Sequence, residues 1–339
     1  MKRHTLAFVI VVGLAAGISE ATLMGQSTGE TADAHVAAAK AAARQEHNSL
    51  FNNLCAAPAP AAGTPTAPAP AQPQGPPARS QWHAEPAKVF DNLYFVGMTE
   101  YASWAITTSD GIIVTDPLFD YSVEDEVVNG LTKLGFDPKN IKYVLVSHGH
   151  IDHVGGARYL QDRFGARVIM AADDWDLVDR TKAAWPKPKR DMVATDGQRL
   201  TLGDTTLILT ITPGHTLGTI STLIPVKDAG KQHTAALWGG TGFNWLRNRA
   251  AYITPERSDR FWFEKYSSSA RRFRDIVAKA GADVLLSNHT NTDASKTKLP
   301  ALLKRSPGDP HPYVIGNESV QRFLTVAEEC ANAGLARVK

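Results

Sequence analysis

The segment S-H-G-H-I-D-H-V-G-G, Ser147 to Gly156, places three histidines and an aspartate within six positions. It follows I-K-Y-V-L-V-S, Ile141 to Ser147, a short apolar run with β-branched residues that reads as a buried strand. Open α/β sheets place their ligands beyond such strand ends. In extended backbone His148 and His150 point to one side, and Asp152 and His153 follow as the chain turns into a helix. Four polar side chains are costly to bury there unless they bind something. Imidazole and carboxylate suit zinc, with iron or manganese as weaker matches. One tight segment cannot comfortably close a single tetrahedral shell with all four. The arrangement therefore points to two metal ions, each completed from elsewhere in the chain. His215 in T-P-G-H-T and His289 in L-L-S-N-H-T repeat the same logic, a histidine just past an apolar strand. His4, His35, His47, His83, His233 and His311 lack that setting and read as ordinary structural residues.

The rest of the pattern is α/β. Val89–Gly97 alternates like a strand, and Ser103–Asp116 reads as two strands joined by a Ser-Asp-Gly turn. Ser122–Leu134, Val154–Phe164 and Ala171–Arg180 read as helices, with a strand at Ala166–Ala171. Arg199–Thr212 reads as a hairpin, followed by strands at Thr219–Val226 and His233–Trp238. A long amphipathic helix at Ser258–Ala280, a buried strand at Ala282–Asn288 and a helix at Glu318–Ala333 close the chain. One half starts near Trp82 and the other near Arg199. The pattern implies two sheets with helices packed outside.

The ends differ from this body. Lys2, Arg3 and His4 precede the apolar run Leu6–Ala16, which is too short to span a bilayer, and Ser19-Glu20-Ala21 suits cleavage. Residues 1–21 read as a secretory signal peptide and the mature protein as secreted or periplasmic. An uncleaved anchor is the alternative. A helical segment covers 31–55, a Pro/Ala-rich linker 56–80, the catalytic domain 82–305 and a helical extension 306–339. The segment before the linker is either docked or a loose arm. Export would permit a disulfide between the two cysteines, Cys55 and Cys330; two separate thiols are the alternative. A net charge of +2 gives no nucleic-acid footprint. The partner implied is a small-molecule substrate, with no membrane contact after signal cleavage; oligomeric state is left open.

The motif H-x-H-x-D-H, a strand-end Gly-His and a late strand-end His together resemble the metallo-β-lactamase superfamily, over about Trp82–Pro300. The resemblance implies a four-layered αβ/βα sandwich with two zinc ions at one edge. It implies that His148, His150 and His215 hold the first zinc, and Asp152, His153 and His289 the second. That set is similar to the third subclass of class B β-lactamases. Asp116 matches a position that supports the metal loop. Asp152 is implied to hold a metal and to accept a hydrogen bond from the attacking hydroxide, as the catalytic residue. Glyoxalase-type thioesterases of the superfamily carry an aspartate that bridges both metals; here the stretch Ala236–Asn244, A-L-W-G-G-T-G-F-N, has no acid. Thr241 offers a hydroxyl there, and Asn244 a side chain toward substrate. Two loops are expected to flank the cleft, Trp185–Asp191 with Lys187, Lys189 and Arg190, and Phe243–Arg249. The first reads equally as a solvated basic loop, and the aromatics of the second as packing.

These observations imply an exported dizinc hydrolase opening a β-lactam amide. Another dizinc hydrolase acting on lactones, thioesters or other esters is the alternative, and a non-catalytic zinc-binding protein a third. A diiron relative is disfavoured, since such proteins usually carry glutamate where His150 stands.

Overall fold

The computed structural model describes residue 1 and residues 31–55 and 75–338. The expected signal peptide and residues 56–74 of the linker lie outside the described residues. Two helices come first, α1 (Ala32–Ala43) and α2 (Asn48–Leu54). The first sheet has seven strands in chain order: β1 (Ala87–Phe90), β2 (Leu93–Phe95), β3 (Trp104–Thr108), β4 (Gly111–Thr115), β5 (Ile141–Leu145), β6 (Arg167–Ala171) and β7 (Met192–Ala194). β1 to β4 form an antiparallel meander, and β4 to β7 run parallel. Parallel pairing needs crossovers. They are made by α3 (Asn129–Lys133), by α4 (Ile151–Val154) with α5 (Ala157–Phe164), and by α6 (Ala172–Arg180).

The second sheet has the order β12-β11-β10-β9-β8, with β8 (Arg199–Leu202), β9 (Thr205–Ile211), β10 (Ile220–Asp228), β11 (Lys231–Trp238) and β12 (Val284–Ser287). Its one parallel pair, β11–β12, is connected through α7 (Asn244–Arg247), α8 (Arg249–Tyr252) and the long α9 (Asp259–Ala280). α10 (Ser295–Leu303) and α11 (Asn317–Arg337) follow.

Three apolar clusters define the layers. Trp104, Ile106, Leu145, Ile169, Leu209, Ile224 and Leu286 fill the space between the sheets. Val114, Val144, Val154, Leu160 and Trp175 bury the other face of the first sheet under its helices. Trp238, Phe263, Phe273, Phe323 and Leu324 do the same for the second sheet. The result is two sheets with helices packed outside, as the alternating pattern implied, in the four-layered αβ/βα sandwich that the family resemblance implied.

Two local expectations change. Val89–Gly97 is a hairpin rather than one strand, turning at Asp91-Asn92. The turn is pinned from outside: Asn92 Nδ2 donates to Pro225 O at 3.0 Å, and Gly230 N donates to Asp91 Oδ2 at 3.0 Å. Phe243–Arg249, read as a loop, contains α7, and Phe243 and Trp245 are packed against Phe263 and Tyr266. The strand β7 and the helix α10 carry too short or too weak a periodicity to be seen in the sequence.

The N-terminal helices are docked. Ala39, Ala43, Leu50 and Leu54 join the cluster beneath α9 and α11. The buried His47 ring bonds Ser319 O at 2.9 Å, and Arg322 pairs with Glu46. Glu328 of α11 is buried and neutralised by Arg271 and Arg274 of α9, at 2.6 and 2.5 Å. Cys55 and Cys330 are disulfide-bonded, 275 residues apart. Replacing both by alanine is expected to cost about 2–5 kcal/mol of stability, read by denaturant titration. A midpoint equal to that of the parent would show that packing alone holds the segment. No helix among the described residues is long and apolar enough to cross a membrane.

Candidate metal centre

β5 ends at Leu145, and the next residues carry the histidine cluster to one edge of the sandwich. His148 is completely buried. Its Nδ1 bonds the Gly239 carbonyl at 2.8 Å, which fixes the ring and leaves Nε2 buried with no hydrogen-bond partner among the described residues. His215, on the β9–β10 connection, repeats the device: Nδ1 bonds Gly242 O at 2.9 Å. His150 Nε2 is hydrogen-bonded to the Tyr252 hydroxyl at 2.6 Å, leaving Nδ1 free. The three rings face one another with centroids 4.4 to 4.9 Å apart. One nitrogen from each lies within 4.8 Å of the others.

A second convergence adjoins the first. Asp152 Oδ2 is 3.1 Å from His153 Nε2 and 3.8 Å from His289 Nε2, and the two imidazole nitrogens are 3.2 Å apart. His148, Asp152 and His153 also bring one donor atom each within 4.8 Å. All six residues expected from the sequence thus meet at one edge.

The electrostatics suit a cation. Burial drives His150 and His289 down to about 4, and His148 and His215 well below the ordinary value, so all four are neutral imidazoles at neutral pH. His153 moves the other way, to about 10: burial opposes its charge, but Asp152 and Asp116 on either side favour it. Burial works against an ionised Asp152 too, yet His153 holds its carboxyl well below the usual carboxylate range. An orphaned buried nitrogen, four neutral imidazoles and an ionised carboxylate form a donor set that fits a divalent transition metal, and His153 would release its proton on joining them.

Behind the ligand candidates lies a ring of polar supports. Asp116, left-handed at φ 56°, accepts from Ser147 N and Ser147 Oγ at 2.6 Å each and lies 3.1 Å from His153 Nδ1. Asn288 donates to Gly239 O at 2.8 Å and Ser147 Oγ at 3.0 Å. Asp174, fully buried at the start of α6, accepts from Gly149 N at 2.7 Å, Thr216 Oγ1 at 2.7 Å and Gly218 N at 3.0 Å. It fastens the His148–His150 turn to the His215 turn. Ser147, Asn288 and Asp174 were not singled out from the sequence. The signal for the first two is adjacency to His148 and His289; Asp174 gives none.

The cluster opens into a polar cavity of about 440 Å³, whose wall includes Thr241 and Asn244. Thr241 Oγ1 is buried and has no hydrogen-bond partner among the described residues, and Asn244 Nδ2 is 3.3 Å from His215 Nε2. The basic loop Trp185–Asp191 does not flank this cavity, contrary to one expectation. Arg190 pairs with Asp176 at 2.6 Å, Lys189 lies 3.9 Å from Asp162, and Lys187 bonds the Thr181 carbonyl, so the loop's charges are turned onto α5 and α6.

A family model described as the metallo-beta-lactamase superfamily matches residues 98–229. The structure of BJP-1, a subclass B3 metallo-β-lactamase of Bradyrhizobium japonicum, superposes with a TM-score of 0.57 at 28% identity, covering 72% of this chain and 91% of that one. Residues 98–229 thus match the metallo-β-lactamase superfamily, and the chain shares the fold of that β-lactamase. By sequence it also resembles hydroxyacylglutathione hydrolases. The Acidiphilium cryptum protein is 36% identical over 83 residues, 24% of this chain and 30% of that protein. The Pseudomonas putida protein is 30% identical over 152 residues, 42% of this chain and 54% of that protein. The chain thus spans less than two thirds of these relatives' length.

Within the acid-free stretch 236–244, Gly240 packs directly against His215. A Cβ on Gly240 would stand 2.5 Å from His215 Cβ and 2.8 Å from its Cγ. No side chain fits there without moving His215, so an acid bridging two metals from Gly240 is sterically excluded. Gly240→Asp is expected to weaken metal binding by about 10–100-fold, as misplacing a ligand's support does. Metal titration of the purified variant reads this; unchanged affinity would mean His215 can retreat without loss.

Proposed function

We propose that this chain is an exported dizinc hydrolase that opens the amide of a β-lactam. His148, His150 and His215 would hold one zinc, and Asp152, His153 and His289 the other. The observation that carries the reading is the six-residue constellation combined with Gly240, whose contact with His215 leaves no room for the bridging acid of thioesterase-type sites. Two zinc ions, when bound, would lower the pKa of water to about 7 and polarise the scissile carbonyl. Asp152, held ionised beside His153, accepts the hydrogen bond that orients the nucleophilic water toward the carbonyl carbon. Tyr252 orients the His150 ring, and Gly239 and Gly242 orient His148 and His215 through their carbonyls. Asp116 and Asn288 hold the Ser147–His148 turn. Thr241 and Asn244 present a hydroxyl and an amide to the substrate from the cavity wall. The disulfide and the N-terminal apolar run support export.

A second reading is thioester hydrolysis, favoured by the likeness to hydroxyacylglutathione hydrolases. One experiment separates the two: steady-state hydrolysis of a chromogenic cephalosporin and of an acylglutathione thioester by the zinc-loaded protein, each with and without a chelator. Chelator-sensitive cephalosporin turnover with kcat/KM above about 10⁴ M⁻¹s⁻¹ is expected. Thioester turnover without cephalosporin turnover would reverse the order of the two readings.

A further inference from the structure

The cavity beside the cluster contains a cation that the reading above does not use. Arg247, at the end of α7, and Asn53, near the end of α2, both line it, together with His150, Asp152 and His215. Arg247 Nη2 donates to Asn53 Oδ1 at 3.3 Å. Asn53 is a neutral amide, so the guanidinium keeps its charge uncompensated and most of its five donors unspent. The contrast with its neighbour is direct: Arg249 is held by both oxygens of Asp259, at 2.8 and 3.0 Å. Asn53 stands two residues before Cys55, whose disulfide to Cys330 of α11 fixes the end of α2, and Leu54 between them is buried. A segment far from the metal-site residues in sequence is thereby fastened against the mouth of the cavity.

We infer that Arg247 is the docking point for a carboxylate on the substrate, and that the disulfide-tethered N-terminal segment is part of the substrate site because Asn53 sets the guanidinium. The planar fork of Arg suits a carboxylate bidentately, and Asn53 occupies one donor edge, leaving the others toward the cavity. Nothing else charged and positive lines this cavity among the described residues, apart from its histidines. The inference rests on the hydrolase reading for the position of the substrate. It adds that the site selects anionic over neutral substrates.

The test uses the zinc-loaded full chain and a matched pair of probes, a mercaptocarboxylic acid and its carboxamide. Their shared thiol addresses the metal whatever the natural substrate is. Binding is measured by titration calorimetry, beside cephalosporin turnover. The acid is expected to bind about tenfold more tightly than the amide, the scale of a charge-assisted hydrogen bond at a partly exposed rim. Arg247→Ala should bring that ratio toward one while leaving the amide's affinity unchanged, and Arg247→Lys should keep part of it. Asn53→Ala, and separately Cys55→Ala with Cys330→Ala, should lower the ratio about two- to fivefold by freeing the guanidinium. An acid-to-amide ratio that survives Arg247→Ala overturns the inference even if cephalosporins are hydrolysed. A ratio that collapses in a protein without cephalosporin turnover supports it and counts against the β-lactam reading alone. Failure of both thiols to bind overturns both.

Discussion

Alanine at His148 is expected to abolish hydrolysis and metal loading together. His148 belongs to both convergences of donor atoms, that with His150 and His215 and that with Asp152 and His153. Its Nε2 is buried and without a partner among the described residues, while Nδ1 is already committed to Gly239. Removing the ring takes a ligand from the first cluster and a close neighbour from the second, so no simple rearrangement restores the first. Groups that act as a unit lose nearly everything when one is removed, and the drop in turnover should reach at least about a thousandfold. Metal content by elemental analysis should fall in parallel, with the far-ultraviolet circular dichroism unchanged. A variant that keeps metal and turnover would sink the assignment of His148.

Asp174→Ala should be nearly as damaging without touching any ligand candidate. Its carboxylate is the shared acceptor of Gly149 N–H, Gly218 N–H and the Thr216 hydroxyl. Alanine leaves the Gly149 and Gly218 N–H groups without an acceptor, while the Thr216 hydroxyl can turn to Thr219 Oγ1 at 2.8 Å. At about 1–3 kcal/mol for each orphaned group, partly relieved by entering water, a loss of roughly 2–5 kcal/mol is expected. The two histidine-bearing turns would then be free to separate, with metal affinity falling about 10–100-fold. Asp174→Asn is the informative control. An amide presents one acceptor and two donors where three donors already converge, so it should recover little. A Cβ on Gly218 would fall 2.8 Å from the Asp174 carboxyl carbon, which leaves no slack for a substitute. Denaturant titration and metal titration of both variants check this. Wild-type values for alanine would show that the turns hold themselves.

The two kinds of residue in these predictions differ in how visible they are in sequence. His148, His150, His215 and His289 could be found because each stands at the end of an apolar strand, and the edge of a sandwich collects strand ends. Asp174 could not, since its partners are mostly backbone N–H groups whose neighbours carry the chemistry, in segments 25 to 44 residues away. Asn288 is similar: its amide acts on the carbonyl of Gly239 and the hydroxyl of Ser147 across the sheets. Fold class was legible for the same reason the ligands were, the strong contrast of buried strands with amphipathic helices. The Asp91-Asn92 turn was not, because alternation over Val89–Gly97 continues through it and the contacts that set it come from the β10–β11 hairpin. The basic loop misled for a further reason: its positive charges are legible, but the acids that neutralise them lie on other helices.

The bond between Cys55 and Cys330 also makes the molecule a covalent ring. It encloses both sheets, every strand and all six residues of the metal cluster. A single cut in any surface loop within the ring leaves two pieces that remain one molecule until the sulfurs are reduced. The ring can close only after α11 has been synthesised, so oxidation comes after the strands that precede it in the chain. A protease that nicks the folded protein should therefore give an intact band on a non-reducing gel and two fragments on a reducing one.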